Sequence, residues 1–161
     1  RPDVARKILT DWVTQHPEDA GAEVALATSS LSGGDFADAQ SRFEQALVQT
    51  PDNVVVLNNL AWLYQQTGDS RARETAERAW SLAPDSADVG DTYGWILVTS
   101  GDPERGRAVL LKAHELAPKN PAIAFMRRAR SVKQVVLSRR LLCCRILASR
   151  NSRHFPNRTP R

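Results

Sequence analysis

The sequence is poor in the residues on which several classes of protein depend. Its only cysteines, Cys143 and Cys144, are adjacent and lie near the end of the 161-residue chain, so the rest has neither a disulfide framework nor a thiolate metal site. No apolar run reaches the roughly 18 residues of a membrane-spanning helix. The first residues also lack the apolar stretch of a secretory signal, and we expect any export signal to lie upstream.

Catalytic constellations are missing as well. The three histidines, His16, His114 and His154, are far apart, and none has a metal ligand or a nucleophile at usable spacing. There is no glycine-rich phosphate-binding loop. Asp88 and Asp91 are close enough to approach one another, but a charged helix face is the commoner reason for such a pair. We therefore predict no enzyme, no cofactor, no metal site and no small-molecule substrate.

Acidic residues are absent from the C-terminal part of the chain. Residues 1–123 hold all 18 acidic residues and 11 of the 22 basic ones, which gives this part a net charge of −7. Residues 124–161 hold the other half of the basic residues and no acid. Such a break in composition marks a boundary, which we place near Ile123.

An internal repeat organises the rest of the sequence. Prolines recur at a nearly constant interval, at Pro17, Pro51, Pro84 and Pro118. Glycines between them keep almost the same spacing, and each is followed by an aspartate: Gly34, Gly68 and Gly101. Two interleaved series of this kind predict an array of similar units.

Each unit has the pattern of two helices. In the second unit, Leu57, Leu60, Ala61 and Tyr64 fall on one helical face. Gly68 then ends that helix, and Asp69 or Ser70 is expected to cap the next one, which ends before Pro84. The buried side of that second helix is predicted to run through Ala72, Ala76, Ala79 and Trp80. The first unit has the corresponding series Phe36, Ala39, Phe43 and Ala46, and the third has Gly106, Leu110 and Ala113 after a cap at Asp102.

These residues resemble the tetratricopeptide repeat (TPR), whose pattern has Trp, Leu, Gly and Tyr-like positions in the first helix, then Gly, Ala, Phe, Ala and Pro. The resemblance implies an all-α, right-handed solenoid of antiparallel helix pairs. We place three repeats at residues 18–51, 52–85 and 86–119, after the second helix of a truncated repeat at 1–17 with Ala5, Leu9 and Trp12. The second repeat is one residue short, which implies a tighter turn between its helices.

In TPR solenoids the first helices line the concave side, which binds proteins or peptides. Repeat phase places ten residues there: Val24, Thr28, Leu31, Asn58, Trp62, Gln65, Asp88, Asp91, Trp95 and Thr99. Trp62 and Trp95 occupy the same position in consecutive repeats and are the best candidates for contact with a peptide, since aromatic residues dominate binding hot spots. The alternative is that both pack between helices. Trp12 and Trp80 lie on second helices and are predicted to be core residues.

Chaperone-binding TPR domains hold a terminal carboxylate with lysine, arginine and asparagine side chains. Only Asn59 fits that pattern, because the other positions are occupied by Val24, Thr28, Asp88 and Thr92. The groove residues therefore favour a basic or neutral ligand. Asn58 and Asn59 are candidates for bonding a peptide backbone or, equally, their own neighbours.

Segments such as NNLAWLY and DTYGWILV resemble the C-terminal repeats of bacterial TPR lipoproteins linked to PEP-CTERM and exosortase systems. That resemblance implies a role in exopolysaccharide secretion or envelope sorting, and a periplasmic or envelope location. Without it, a cytoplasmic location is expected.

The repeat pattern fails in residues 120–150, where Arg127 and Arg128 occupy apolar positions, and residues 151–161 are predicted to be disordered. Three hypotheses stay open. The basic segment binds nucleic acid or an anionic membrane. Alternatively, its helical face caps the last repeat, through Phe125, Ala129, Val132 and Val136. The third hypothesis is that the segment is an out-of-frame translation.

Overall fold

The computed structural model describes residues 2–118, which contain seven α-helices and no strand. Their bounds are α1 Pro2–Gln15, α2 Ala20–Gly33, α3 Phe36–Gln49, α4 Val54–Thr67, α5 Ala72–Leu82, α6 Ala87–Thr99 and α7 Pro103–Leu116. The pairs α2/α3, α4/α5 and α6/α7 make the most extensive contacts, and each second helix also contacts the following first helix. The predicted all-α solenoid of helix pairs is confirmed.

Several predictions fall outside the described residues. These are the basic segment 120–150, the tail 151–161, the helical face from Phe125 to Val136 and the two cysteines. Among residues 2–118, no helix is both long and apolar enough to span a bilayer. The three helix pairs lie within the ranges proposed for the three repeats, which stay a prediction as domain boundaries.

Glycine ends the first helices as expected. Gly34, Gly68 and Gly101 have φ values of 85°, 74° and 93°, in the left-handed region that side chains with a Cβ disfavour. The amide of Gly68 donates to the carbonyl of Tyr64, and the amide of Gly34 donates to that of Leu31. These bonds satisfy carbonyl groups that a helix end otherwise leaves unpaired.

The short second repeat differs from its prediction. The turn is not tighter, because residues 68–71 separate α4 from α5 while only Gly34 and Asp35 separate α2 from α3. The second helix of this repeat is shorter instead, since α5 has 11 residues and α3 has 14. The predicted cap at Asp69 or Ser70 is also wrong. The Asp69 carboxylate accepts the amide of Arg71 and pairs with its guanidinium, and α5 starts at Ala72 without a side-chain cap.

Small and apolar residues of the second helices form the core with the first helices. The predicted series Ala39, Phe43 and Ala46 is buried, as are its counterparts in α5 and α7. Trp80 is half-buried against the core and stacks on Tyr93, with ring centroids 6.1 Å apart, which confirms it as a packing residue. One cluster runs without interruption from α2 to α6.

Trp12 is not a core residue. Its side chain is 49% exposed on α1, whereas Ala46, Ala79 and Ala113 at the corresponding positions of the later repeats are fully buried. Each of those alanines lies against the first helix of its own repeat, and α1 has no such helix among the described residues. The indole N–H instead donates to Asp19 Oδ2 at 2.9 Å.

The backbones of α6 and α7 approach one another closely. A Cβ added to Gly106 would lie 2.6 Å from the carbonyl oxygen of Gly94 and 2.8 Å from the amide nitrogen of Val98. The other repeats have alanine at both crossing positions, with Ala61 facing Ala72 in the second. Two glycines therefore let these backbones come closer than the alanine pairs permit.

Candidate partner-binding surface

The first helices lie on the inner side of the solenoid. α4 contacts α6 directly, and no two second helices within residues 2–118 make a comparable contact. Helices on the inside of a curved stack are closer to one another than those outside it. We use the term groove face for the ten predicted positions: Val24, Thr28, Leu31, Asn58, Trp62, Gln65, Asp88, Asp91, Trp95 and Thr99.

The structure divides the groove face by accessibility. Thr28, Asp88 and Thr99 are exposed. Six others are half-buried: Val24, Leu31, Asn58, Trp62, Gln65 and Asp91. Trp95 is only 9% exposed, because α6 is packed against α4, α5 and α7 at once. This indole has little surface left for a ligand, so Trp62 is the stronger candidate of the two.

Trp62 combines the two roles that the sequence left open. Its indole packs against the core cluster and also meets the ring of Phe36 edge-on, with centroids 5.5 Å apart and planes at 76°. Phe36 was predicted to be on the buried side of α3, which is wrong, since it is 39% exposed. It is the first residue of α3, where the side chain reaches past the core toward the next repeat. The two rings form a partly exposed aromatic pair.

Polar side chains link adjacent first helices. Gln65 Nε2 donates to Thr99 Oγ1 at 3.3 Å, which connects α4 to α6. The hydroxyl of Thr99 in turn donates to the carbonyl of Trp95 at 3.0 Å. Thr28 makes the same local bond, to the carbonyl of Val24 at 2.8 Å. Of these three bonds, the Gln65–Thr99 bond joins two helices, and the other two satisfy threonine hydroxyls within α6 and α2.

The first helices contain no lysine or arginine, and their acids are Glu23, Asp88 and Asp91. The negative charge of Glu23 is balanced by Arg42, because its side chain is only 5% exposed and its carboxylate pairs with Arg42 Nη1 at 3.1 Å. Arg42 Nε also bonds Asp38. Burial alone would raise the pKa of Asp38, but hydrogen bonds from Ser30 and Arg42 outweigh it and hold the pKa below its usual range.

Tyrosines, glutamates and arginines join consecutive repeats. Tyr64 donates to Glu44 Oε1 at 2.9 Å, and the Arg71 guanidinium lies 4.2 Å from the Tyr64 ring centroid and 3.2 Å from Glu44. Burial and this carboxylate raise the pKa of Tyr64 to about 12. Glu77 and Arg105 repeat the arrangement around Tyr93, whose pKa is also raised, chiefly by burial.

These junction clusters were not predicted from the sequence. The signal that could have found them is the spacing of the charged partners. Glu44 and Glu77 are separated by one repeat length, as are Arg71 and Arg105, so both pairs follow the repeat. The side chains involved stabilise helix interfaces and are not arranged around a cleft. Among residues 2–118, no group of His, Cys, Asp and Glu has the grouping needed to hold a metal ion.

Comparison with known proteins agrees with this geometry. A family model described as tetratricopeptide repeat matches residues 43–74, from the middle of α3 to the start of α5. The helix-pair units of this chain are similar to tetratricopeptide repeats. A TPR repeat-containing protein of Pseudomonas aeruginosa is 24% identical over 124 residues, or 76% of this chain and 21% of that protein. Cellulose synthase operon protein C of Pseudomonas fluorescens is 32% identical over 79 residues, or 48% of this chain and 6% of that protein.

Solved structures share the TPR fold. YrrB, a TPR protein with an unusual peptide-binding site, superposes with a TM-score of 0.66 at 18% identity, covering 77% of this chain and 64% of YrrB. The O-GlcNAc transferase of Thermobaculum terrenum, in a K341M mutant, has a TM-score of 0.62 at 30% identity and is matched over 20% of its chain and 65% of this one. This chain spans about a fifth or less of the length of its two curated relatives.

Proposed function

We propose that this chain is a non-catalytic scaffold that binds a protein segment along the groove face. The observation that carries the proposal is the partly exposed Phe36–Trp62 pair, formed between the start of α3 in one repeat and α4 of the next. Aromatic side chains that are anchored on one side and accessible on the other are typical of binding hot spots. TPR proteins bind proteins or peptides, and the unidentified partner of this chain belongs to that class.

The ionisable groups with shifted pKa values support a structural role over a catalytic one. Tyr64 and Tyr93 donate their hydroxyl hydrogens to glutamates at 2.9 and 3.2 Å, and Asp38 accepts from Arg42 at 2.9 Å, so each of the three already has a hydrogen-bond partner. Side chains with shifted pKa values suggest catalysis when they converge in a cleft, and these three side chains do not converge. One structural relative is a transferase, but the similarity covers a minor part of it.

We further propose that the scaffold acts in the bacterial envelope, in exopolysaccharide secretion or protein sorting. The support is the resemblance of NNLAWLY and DTYGWILV to lipoprotein repeats, together with a relative named for a cellulose synthase operon. Fractionation of the native bacterium with an antibody to this chain tests the location. Recovery in the cytosolic fraction alone contradicts the proposal.

Capture experiments test the groove. The full chain is used as bait in extracts of bacterial envelope and cytosol, beside Trp62→Ala and a control, Val48→Ala. Val48 is 82% exposed on α3, a second helix, so its loss removes apolar surface away from the groove. A partner retained by the parent and by Val48→Ala, but lost by Trp62→Ala, supports the proposal. Equal capture by all three chains contradicts it.

The same extracts address the alternative that the basic C-terminal segment is the binding element. Its uniformly positive charge predicts binding to nucleic acid or anionic lipid that collapses as salt rises. Binding at the aromatic pair buries apolar surface and is expected to persist at high salt. Capture that is abolished by salt and unaffected by Trp62→Ala favours the alternative.

A further inference from the structure

Basic residues are confined to one kind of helix, whereas acidic residues occur on both. All lysines and arginines within the seven helices lie on second helices: Arg6, Lys7, Arg42, Arg73, Arg78, Arg105, Arg107 and Lys112. Each kind of helix presents a different side of the solenoid, so the cations are kept off the groove face. A ligand in the groove therefore meets carboxylates without competing lysines or arginines on the same helices.

Asp88 supplies the accessible carboxylate of the groove face. It is exposed in the first turn of α6, whereas Glu23, on α2, is buried and already paired with Arg42. The negative charges in the turns before the first helices are also partly balanced by cations, since Asp52 pairs with Arg78 at 2.8 Å and Asp85 with Lys112 at 3.1 Å. The negative charge offered to a ligand is thus concentrated at the α6 end of the groove face.

Apolar surface is offered by α2, α4 and the first residue of α3. Trp62 and Phe36 expose parts of their rings, and Leu31 is half-buried beside the same core cluster. A tryptophan face attracts both apolar side chains and cations, with a guanidinium the most frequent cation. A large apolar group and a positive charge are therefore the two features that the groove face complements.

We infer that the groove face selects a cationic peptide segment, which presents arginine or lysine to Asp88 and a large apolar side chain to the Phe36–Trp62 pair. The inference rests on the proposed function and specifies its partner class. An acidic segment or a free C-terminal carboxylate is disfavoured, because Val24, Thr28 and Thr92 stand where a cation would be needed and Asp88 repels the ligand.

Binding of defined peptides to the full chain tests the inference by fluorescence anisotropy. The probe is a short labelled peptide of arginine, leucine and alanine, and its counterpart has glutamate at each arginine position. Asp88→Asn is compared with Glu74→Gln, which removes the same charge from an exposed first-turn position on α5, a second helix. Both variants change the net charge by the same amount, so a difference between them reports on the position of the carboxylate that is removed.

We expect the arginine probe to bind and the glutamate probe not to bind at the same salt concentration. Asp88→Asn should weaken binding by up to about five-fold, the range of an exposed ion pair, and Glu74→Gln should leave it nearly unchanged. Trp62→Ala should weaken binding about ten-fold or more. Equal effects of Asp88→Asn and Glu74→Gln, or no binding of the arginine probe, overturn the inference.

The two proposals fail in different ways. If the glutamate probe binds as tightly as the arginine probe and loses affinity with Trp62→Ala, the groove binds peptides but does not select cations. If the arginine probe binds and Trp62→Ala has no effect, binding occurs away from the aromatic pair. The second result contradicts the proposed function as well as the partner class.

Discussion

Replacing Gly106 with alanine provides a quantitative test of the packing between α6 and α7. The new Cβ would lie 2.6 Å from the Gly94 carbonyl oxygen and 2.8 Å from the Val98 amide nitrogen. Ordinary contacts of a Cβ are 3.4 Å or longer, and backbone atoms cannot rotate away as a side chain can. The helices must move apart, which opens the packing along the whole interface.

Two opposing free-energy contributions determine how much Gly106→Ala changes the stability. Alanine is favoured over glycine inside a helix by about 0.8–1.0 kcal/mol. Overpacking at a tight site costs typically about 1–3 kcal/mol. Because two of the three obstructing atoms belong to the backbone and the third is Val98 Cγ2, we expect the upper part of that range and a net destabilisation of roughly 1–2 kcal/mol. A comparison of repeats gives the opposite expectation, since Ala39 and Ala72 occupy this position in the other two.

Urea unfolding followed by far-UV circular dichroism measures the effect, and hydrogen exchange of the α6 and α7 amides localises it. Gly33→Ala is the matched control, because its added Cβ has only the end of the Arg6 side chain nearby, at 4.0 Å. The unfolding free energy of Gly33→Ala should equal that of the parent chain or exceed it by up to about 1 kcal/mol. If Gly106→Ala is as stable as Gly33→Ala, the close approach of these helices does not exist in solution.

Three further experiments test local features of the fold. Asn53→Ala removes the side chain that accepts two amide hydrogens at the start of α4, and should cost about 1 kcal/mol in urea unfolding. Arg42→Met leaves Glu23 buried without its cation and should lower the unfolding free energy by roughly 3 kcal/mol. The double variant Arg42→Met with Glu23→Leu should recover most of that stability. The pKa of Tyr64 is about 12 in the folded chain and 10.0 as a reference, so the folded state holds this proton where the unfolded state has lost it. The unfolding free energy of the parent chain should therefore fall between pH 10 and 12. It should fall less steeply in Tyr64→Phe, and this difference in pH dependence should be absent well below pH 10.

The helix pairs could be predicted because their signals are local and repeated. Gly34 and Gly68 end helices for a reason contained in the residue itself, the freedom to adopt positive φ. Apolar spacing identified the buried side of α4 through Leu57, Leu60 and Tyr64 in the same way, since a helix has one period whatever surrounds it.

The predictions from the sequence were wrong or left open where a neighbouring helix decides the outcome. Trp12 has the spacing of a core residue but lacks the helix that would cover it, and Trp95 has the spacing of a groove residue but is enclosed by three helices. Glu23 would be expected on the surface from its charge, yet its pairing with Arg42 permits its burial. Asp69 shows the same limit at a turn, because its carboxylate bonds the amide and guanidinium of Arg71 instead of capping α5.

The repeated glutamate–arginine pairs between units bear on how such a chain can change over evolutionary time. Glu44 meets Arg71 and Glu77 meets Arg105, so the second and third repeats each carry the arginine that the preceding glutamate requires. Duplication or deletion of the second unit, which carries both Arg71 and Glu77, would again bring a glutamate against an arginine. The array can thus gain or lose copies of that unit by recombination without a new interface, and its inner side gains or loses one helix each time.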